Sequence, residues 1–352
     1  MKSINYNKVF NILQNKYFKY IELDPVIESK FILQRSGENF KKYLFSFYNS
    51  DGQELSLRPD LTISSVIRYA QSKLNKKEKV FYTGSAFRKS YNKKNVVLKQ
   101  IGMEIFSSKN ANIDDKEIID ISLKILKSSK YKNSKLYIGN FKLFTLLINK
   151  IQIPQRWKQR LIKFFWNEKY FSELLKRLES NLDIDPVAVA GDKKMYSKMI
   201  KLNQSKIING RSYREIIKRF ESKINDPRQS ETGRKSAKII KEFLKIKCSL
   251  NSAPYVLNKF FKKYHLNIFV NKDFFPIKNL KKKGVKFAFS TSLGRGREVE
   301  YYNSLIFSLD VKKKNKFVNL ISGGRFDELT SKFLGLKKIP AVGAAVNLSN
   351  YE

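Results

Sequence analysis

The sequence predicts an α+β fold: an antiparallel-rich sheet flanked by helices, with a mainly helical insertion. Three observations carry that reading. Hairpin signals stand near both ends of the chain. Asn49-Ser-Asp-Gly52 separates two apolar-rich runs, and Lys312–Lys316 separates Tyr301–Val311 from Phe317–Ile321. Between about residues 141 and 265 the apolar residues recur mostly at spacings of three and four, as in Trp157, Leu161, Phe164 and Phe165. Strand texture then returns at Phe287–Ser290. The expected organisation is a core in two parts, 1–140 and 266–352, around an insertion at 141–265.

Each element follows from local pattern. Ile4, Val9, Phe10 and Leu13 have helical spacing. Tyr20–Glu28 is extended, and Pro25 removes a backbone donor, so this strand belongs at an edge or ends there. Tyr43–Tyr48 and Glu54–Leu57 are the arms of the first hairpin. Leu61–Ala70 reads as a helix; Lys79–Ser85 and Lys99–Phe106 read as strands joined by a loop at 89–95. Asn112-Ile-Asp-Asp115 before Ile118, Ile119, Ile121 and Leu123 reads as a capped helix start. Lys135–Gly139 is a further strand. Gly323-Gly324 is expected to end the second hairpin, Phe326–Phe333 to be helical, and Ala341–Leu348 is a last apolar run.

Composition excludes whole classes of chemistry. The chain has 352 residues, 42% hydrophobic and 29% charged, which fits a folded chain rather than a disordered one. No apolar run approaches the ~20 residues that span a bilayer, and the first ten residues lack the apolar segment of a secretory signal. A cytoplasmic protein is expected. A single cysteine, Cys248, and a single histidine, His265, exclude an internal disulfide and a His/Cys metal cluster. No metal and no cofactor are expected. Lys+Arg is 71 against 31 Asp+Glu, a net charge of +40. Such a surface attracts polyanions. The lysines are scattered, however, and Asn, Ile, Phe and Tyr are abundant too, which is the profile of A/T-rich coding. Nucleic acid is therefore not the expected partner.

Four segments set charges inside strand-like stretches: Leu57–Thr62, Ala86-Phe-Arg88, Lys99–Glu104 and Gly294–Tyr302. Charges are seldom buried unless paired or used. Asp60, Glu104 and Glu300 can accept from an ammonium group. Arg88 or Arg297 can hold a carboxylate or phosphate bidentately. Gln100 and Tyr302 can bond a polar side chain. A free amino acid needs that set of groups. Taken singly, each segment also reads as a separate surface ion pair or turn.

In order, the segments resemble the catalytic core of histidyl-tRNA synthetase, a class II synthetase. Tyr20–Glu28 with Pro25 resembles motif 1, which implies a dimer. Leu57–Thr62 resembles the Leu-Arg-Pro-Glu-Gly-Thr loop, with Asp60 for Glu. Phe87-Arg88 resembles the motif 2 arginine, and Gln100-Ile-Gly-Met-Glu104 the Gln-x-Gly-x-Glu stretch of the histidine pocket. Arg297–Tyr302 resembles Arg-Gly-Leu-Asp-Tyr-Tyr, Gly323–Asp327 resembles Gly-Gly-Arg-Tyr-Asp, and Pro340-Ala-Val-Gly343 begins motif 3. The resemblance implies a histidine pocket of Asp60, Thr62, Arg88, Gln100, Glu104, Arg297, Tyr301 and Tyr302. Within it Arg297 takes the carboxylate, Asp60 the ammonium, and Glu104 with Tyr302 the imidazole.

Three departures redirect the expected function. Motif 3 should reach an ATP-binding arginine, and Asn350 stands near that place. The motif 2 loop should supply a second arginine, and Asn95–Lys99 has none. Charge stabilisation is often the largest catalytic term, so losing two guanidiniums removes much of the machinery. The chain also stops after motif 3, which implies no anticodon-binding domain. This pattern resembles the regulatory-subunit family of ATP phosphoribosyltransferase, the first enzyme of histidine biosynthesis. The resemblance implies no catalytic residues of its own. It implies a short catalytic partner subunit, a hetero-octamer, and histidine as feedback effector. A truncated synthetase with residual adenylation or aminoacylation, and an RNA-binding module, are the rival readings.

Overall fold

The computed structural model describes residues 5–36, 38–72, 76–89, 97–107, 109–180, 184, 186–201, 207–208, 211–226, 228–275, 284–296, 301–313, 315–329, 331 and 338–348. The elements run in order α1 (Tyr6–Gln14), β1 (Lys19–Tyr20), β2 (Val26–Glu28), α2 (Ser29–Ser36), β3 (Ser46–Tyr48), β4 (Glu54–Leu57), α3 (Leu61–Gln71), β5 (Glu78–Phe87), β6 (Val97–Phe106), α4 (Ala111–Ser128) and β7 (Ser134–Asn140). Then come α5 (Phe141–Lys150), α6 (Gln155–Lys163), α7 (Glu168–Glu179), α8 (Pro186–Ile200), β8 (Ile207–Ile208), β9 (Arg211–Ser212), α9 (Tyr213–Ile224), α10 (Ser230–Leu244), β10 (Lys247–Ser249) and α11 (Ala253–Lys263). The chain closes with β11 (Val285–Ser290), β12 (Leu305–Lys313), β13 (Lys316–Arg325) and β14 (Ala341–Asn347).

One large sheet organises the molecule, in the order β1-β5-β6-β14-β13-β12-β7-β11-β10. Its pairs are antiparallel except β1 with β5 and β11 with β7. A small sheet, β2-β4-β3, carries the first hairpin. There Gly52 takes φ +74° at the turn, a region open to glycine without strain. Pro25 acts as expected. It separates β1, an edge strand of the large sheet, from β2, an edge strand of the small one.

The two faces of the large sheet are apolar for different partners, because side chains alternate along a strand. Phe81, Ile101, Met103, Ile105, Val342 and Val346 point to the face covered by α1 and α4. Helix α4 buries Ile118, Ile119, Ile121, Leu123, Ile125 and Leu126 there. Each such side chain contributes about 1.5–3 kcal/mol of gross burial energy. The same core continues through Trp157, Phe165, Phe171, Phe243 and Phe261 of the later helices. On the opposite face Val80, Tyr82, Phe106 and Ala341 meet Leu61, Ile63, Val66 and Ile67 of α3, with Tyr301 and Phe326 beside them. That second face carries the candidate site.

Three local expectations are corrected, and one strand is added. Gly323-Gly324 does not end the hairpin; both lie inside β13. A methyl group on Gly323 would stand 2.3 Å from Gly343 O, and one on Gly324 2.4 Å from Leu305 O, so these glycines serve close backbone packing. The cap of α4 is Asn110, whose Oδ1 accepts from the Ile113 amide; Asp114 and Asp115 lie within the helix. Tyr301 to Ser304 precede β12, because the two tyrosines pack edge to face instead of pairing as a strand. Strand β10, which adds to the sheet through β11, was not expected. Most of the helix expected at Phe326–Phe333 lies outside the described residues.

Candidate functional site

Backbone register sets the site. Across β5, β6, β14 and β13 one row aligns Val80, Glu104, Gly343 and Gly324. The next aligns Tyr82, Gly102, Ala345 and Ser322; a third aligns Gly84, Gln100 and Asn347. The glycines leave room for long side chains from neighbouring strands to lie flat. A methyl group on Gly102 would be 2.2 Å from the Tyr82 ring, and one on Gly343 2.7 Å from Glu104 Cγ. One on Gly324 would be 2.6 Å from the Tyr302 ring. Gly84 likewise lies under the Arg58 guanidinium.

Glu104 is the chemical centre. It is 1% exposed, and the Tyr82 hydroxyl donates to its Oε1 at 2.7 Å. Burial pushes the carboxyl up to about 8; the hydroxyls of Ser65, Tyr82 and Thr62 pull the other way, and Asp60 adds to the rise. Ser65 and Thr62 lie close enough to act on the carboxyl, yet neither reaches hydrogen-bond geometry with Oε2, which has no partner. A buried carboxyl oxygen without a donor is costly, so it is a natural place for an incoming N–H. Burial also raises the Tyr82 phenol well above its ordinary range, with Glu104 adding to the effect.

The structure gathers some of the expected residues and separates others. Asp60, Thr62, Glu104 and Tyr301 surround Tyr82 closely enough to act on it or on Glu104. Asp60 also caps α3, its Oδ1 accepting from the Ile63 amide at 2.8 Å. Tyr302 lies over Gly324 and packs against Trp166. Arg88 is held at the Pro59 carbonyl by Nε at 2.6 Å. Gln100 stands two rows from Glu104's row and donates to Asn347 Oδ1 at 2.8 Å. Arg297 lies outside the described residues, as do Glu300 and Asn350. Sequence reasoning missed Tyr82 and Ser65. The period-two alternation of Val80, Tyr82 and Gly84 would have placed Tyr82 on Glu104's face.

Beyond Gln100 the row continues as amides. Asn347 donates to Asn319 Oδ1 at 2.7 Å, and Asn319 donates to Ser308 Oγ and Asp310 Oδ1. Among the described residues, β14 through Leu348 carries no guanidinium; Asn347 fills the end of that strand with a neutral amide.

Comparison with known proteins shows the family and the fold. The histidyl-tRNA synthetase family model matches residues 6–222, more than half of the chain. The chain belongs to the histidyl-tRNA synthetase family. Two similar curated proteins are ATP phosphoribosyltransferase regulatory subunits. That of Sinorhizobium fredii is 25% identical, over 93% of this chain and 90% of its own. That of Brucella anthropi is 22% identical, over 99% and 96%. Two solved structures share the fold. The histidyl-tRNA synthetase of Nostoc has a TM-score of 0.61 at 16% identity, covering 97% of this chain and 68% of that one. The ATP phosphoribosyltransferase regulatory subunit/histidyl-tRNA synthetase of Bacillus halodurans has 0.55 at 19%, covering 98% and 76%. Their family fold is the class II synthetase arrangement expected from the motifs. In this member, the Leu57–Asp60 and Gln100–Glu104 segments meet over the sheet. Among the described residues no group of His, Cys, Asp and Glu is placed to hold a metal, and no helix is long and apolar enough to cross a membrane.

Proposed function

We propose that the chain is a regulatory subunit of ATP phosphoribosyltransferase, acting in the first step of histidine biosynthesis. It makes no bonds itself. A short catalytic subunit carries ATP and phosphoribosyl pyrophosphate to phosphoribosyl-ATP and pyrophosphate, and this chain supports that activity and its inhibition by histidine. The observation that carries the reading is the buried, donor-less Oε2 of Glu104 on a glycine floor, beside a strand end where an amide, Asn347, stands. On this reading the site keeps amino-acid recognition, and among the described residues the end of β14 offers no guanidinium to a triphosphate. The names of relatives that span nearly the whole chain support the same reading.

Histidine enters with its imidazole N–H at Glu104 and its ammonium near Asp60; Arg297 takes the carboxylate. Ligand binding shifts the assembly only by its differential affinity for the active and inhibited states. The assembly is cytoplasmic, built on a dimer of this chain, and a hetero-octamer overall.

Phosphoribosyl transfer by a short catalytic subunit, assayed with and without this chain, tests the reading. Activity should require the chain and fall on adding histidine. Glu104→Gln and Arg297→Ala should weaken inhibition by tenfold or more while the mixed complex still forms. Histidine-dependent pyrophosphate exchange by the chain alone would overturn the reading in favour of a synthetase.

A further inference from the structure

At the start of β7 and β11 the sheet bears a second polar site, four strands from Gln100. A cavity of about 470 Å³ is lined there by Lys135, Lys286, Lys312, Phe317, Asn133 and Gly284, among others. Its size is that of a small-ligand pocket. Lys135 and Lys286 are direct register partners on adjacent strands, so their side chains share one face about 4.8 Å apart at the backbone. Like charges set opposite each other destabilise a sheet. Lys312 stands on the same face, two residues beyond Asp310, which is the β12 partner of Lys135. Among the described residues no carboxylate bridges any of the three. Asp310 itself accepts from Ser308 and Asn319. Phe317 supplies an aromatic wall, with Lys135 Nζ 4.2 Å from its ring centre. An adjoining hollow that shares Ser134, Gly284 and Val285 adds Lys127, Lys130 and Lys132 to the local field.

We propose that this cavity binds a small polyphosphate-bearing ligand, inorganic pyrophosphate or a nucleoside polyphosphate. Three lysines line a space too small for a protein surface and large enough for such an anion. A polyphosphate relieves the opposition of Lys135 and Lys286, and Phe317 offers a face to a base. The site is distinct from the Glu104 pocket, and its occupation does not depend on histidine.

Calorimetry of the full chain with pyrophosphate and with ATP tests it. Binding of at least one is expected, weakening as salt rises. Lys286→Gln with Lys312→Gln should weaken it tenfold or more. Both side chains are exposed, so the fold survives the change. Lys316→Gln, on the exposed hairpin end, serves as control and should leave affinity unchanged. Tighter binding of ATP, lost in Phe317→Leu, assigns the nucleotide; equal affinities assign the polyphosphate alone. Absence of binding by both probes at millimolar concentration overturns the proposal. So does equal weakening by Lys316→Gln, which would mark a diffuse attraction to the basic surface.

Discussion

The Tyr82 hydroxyl and the Glu104 carboxyl are joined by a 2.7 Å hydrogen bond between residues that are not register partners. Tyr82 pairs with Gly102 and Glu104 with Val80, so the bond runs diagonally across β5 and β6. Gly102 makes the diagonal available, because any side chain there would occupy the place of the ring. A tyrosine, a glutamate and a glycine thus form one device, and none of them has this role alone.

The device gives stability a pH dependence. Glu104 is raised from 4.5 to about 8 in the folded chain. The folded state therefore holds a proton that the unfolded state has released, between about pH 4.5 and pH 8. Stability falls as pH rises through that window and levels above it. The loss is on the order of a few kcal/mol. Glu104→Gln stays neutral at every pH and still accepts from Tyr82. Urea unfolding at pH 5, 7 and 8.5 should show the variant gaining on the parent as pH rises. Parallel curves for the two proteins would contradict the assignment.

Gly102→Ala should lose about 1–3 kcal/mol through overpacking against Tyr82. Tyr82→Ala should cost about 3–5 kcal/mol, as for a buried aromatic, and leave Glu104 without its donor. The two losses should not add. With the ring gone, alanine at 102 fits, so the double variant should be more stable than the sum of single effects implies. Additive losses in urea unfolding would show that the contact is not what glycine serves there.

Much of this was readable in residues whose local chemistry decides their structure. Asp51-Gly52 between apolar runs named the first hairpin, and Pro25 named the break between two edge strands. The Gln100–Glu104 segment was read as strand, and it lies in β6 with Glu104 buried. What escaped depends on contacts remote in sequence. Gly323-Gly324 has the local look of a turn, and only Gly343 O, Leu305 O and the Tyr302 ring explain it as strand. Lys247–Ser249 is short and polar, and it becomes β10 only because β11 offers an edge. Asp60 was read only as a carboxylate for an ammonium group, although the helix expected from Leu61 already put it at the N-cap position that it fills.

Arg325 and Asp115 tie the end of β13 to the start of α4. Arg325 Nε and Nη2 both reach Asp115 Oδ1, at 2.9 and 2.6 Å, while Nη1 reaches Asp327 at 2.9 Å. Burial pushes the Asp115 carboxyl up to about 6, even with the guanidinium beside it. Two carboxylates hold Arg325 charged against the same burial. The geometry keeps the pair ionised at pH 7. Arg325→Met leaves Asp115 buried and unpaired and should cost about 3–5 kcal/mol. Adding Asp115→Asn to that variant should recover part of the loss. A double variant as unstable as the sum would deny the coupling.

Arg58 belongs to the Leu-Arg-Pro-Asp segment but works as a structural anchor. It is 6% exposed and donates from Nε to Ser85 O at 2.9 Å and from Nη1 to the Asp24 carbonyl at 3.2 Å. Its guanidinium lies over Gly84, and its own amide donates to Pro25 O. It therefore joins the segment around Pro25, the end of β5 and the loop that carries Asp60. Lysine keeps the charge but not the planar fork, so it cannot reach these carbonyls together. Each lost charged hydrogen bond costs about 1.5–3 kcal/mol. Arg58→Lys should thus lower the urea midpoint by the equivalent of at least one such bond. Histidine affinity should fall with it, because Asp60 and the cap of α3 shift when the anchor loosens. An Arg58→Lys variant with unchanged midpoint and unchanged histidine titration would show that the Pro25 segment and the Asp60 loop hold their places without the guanidinium.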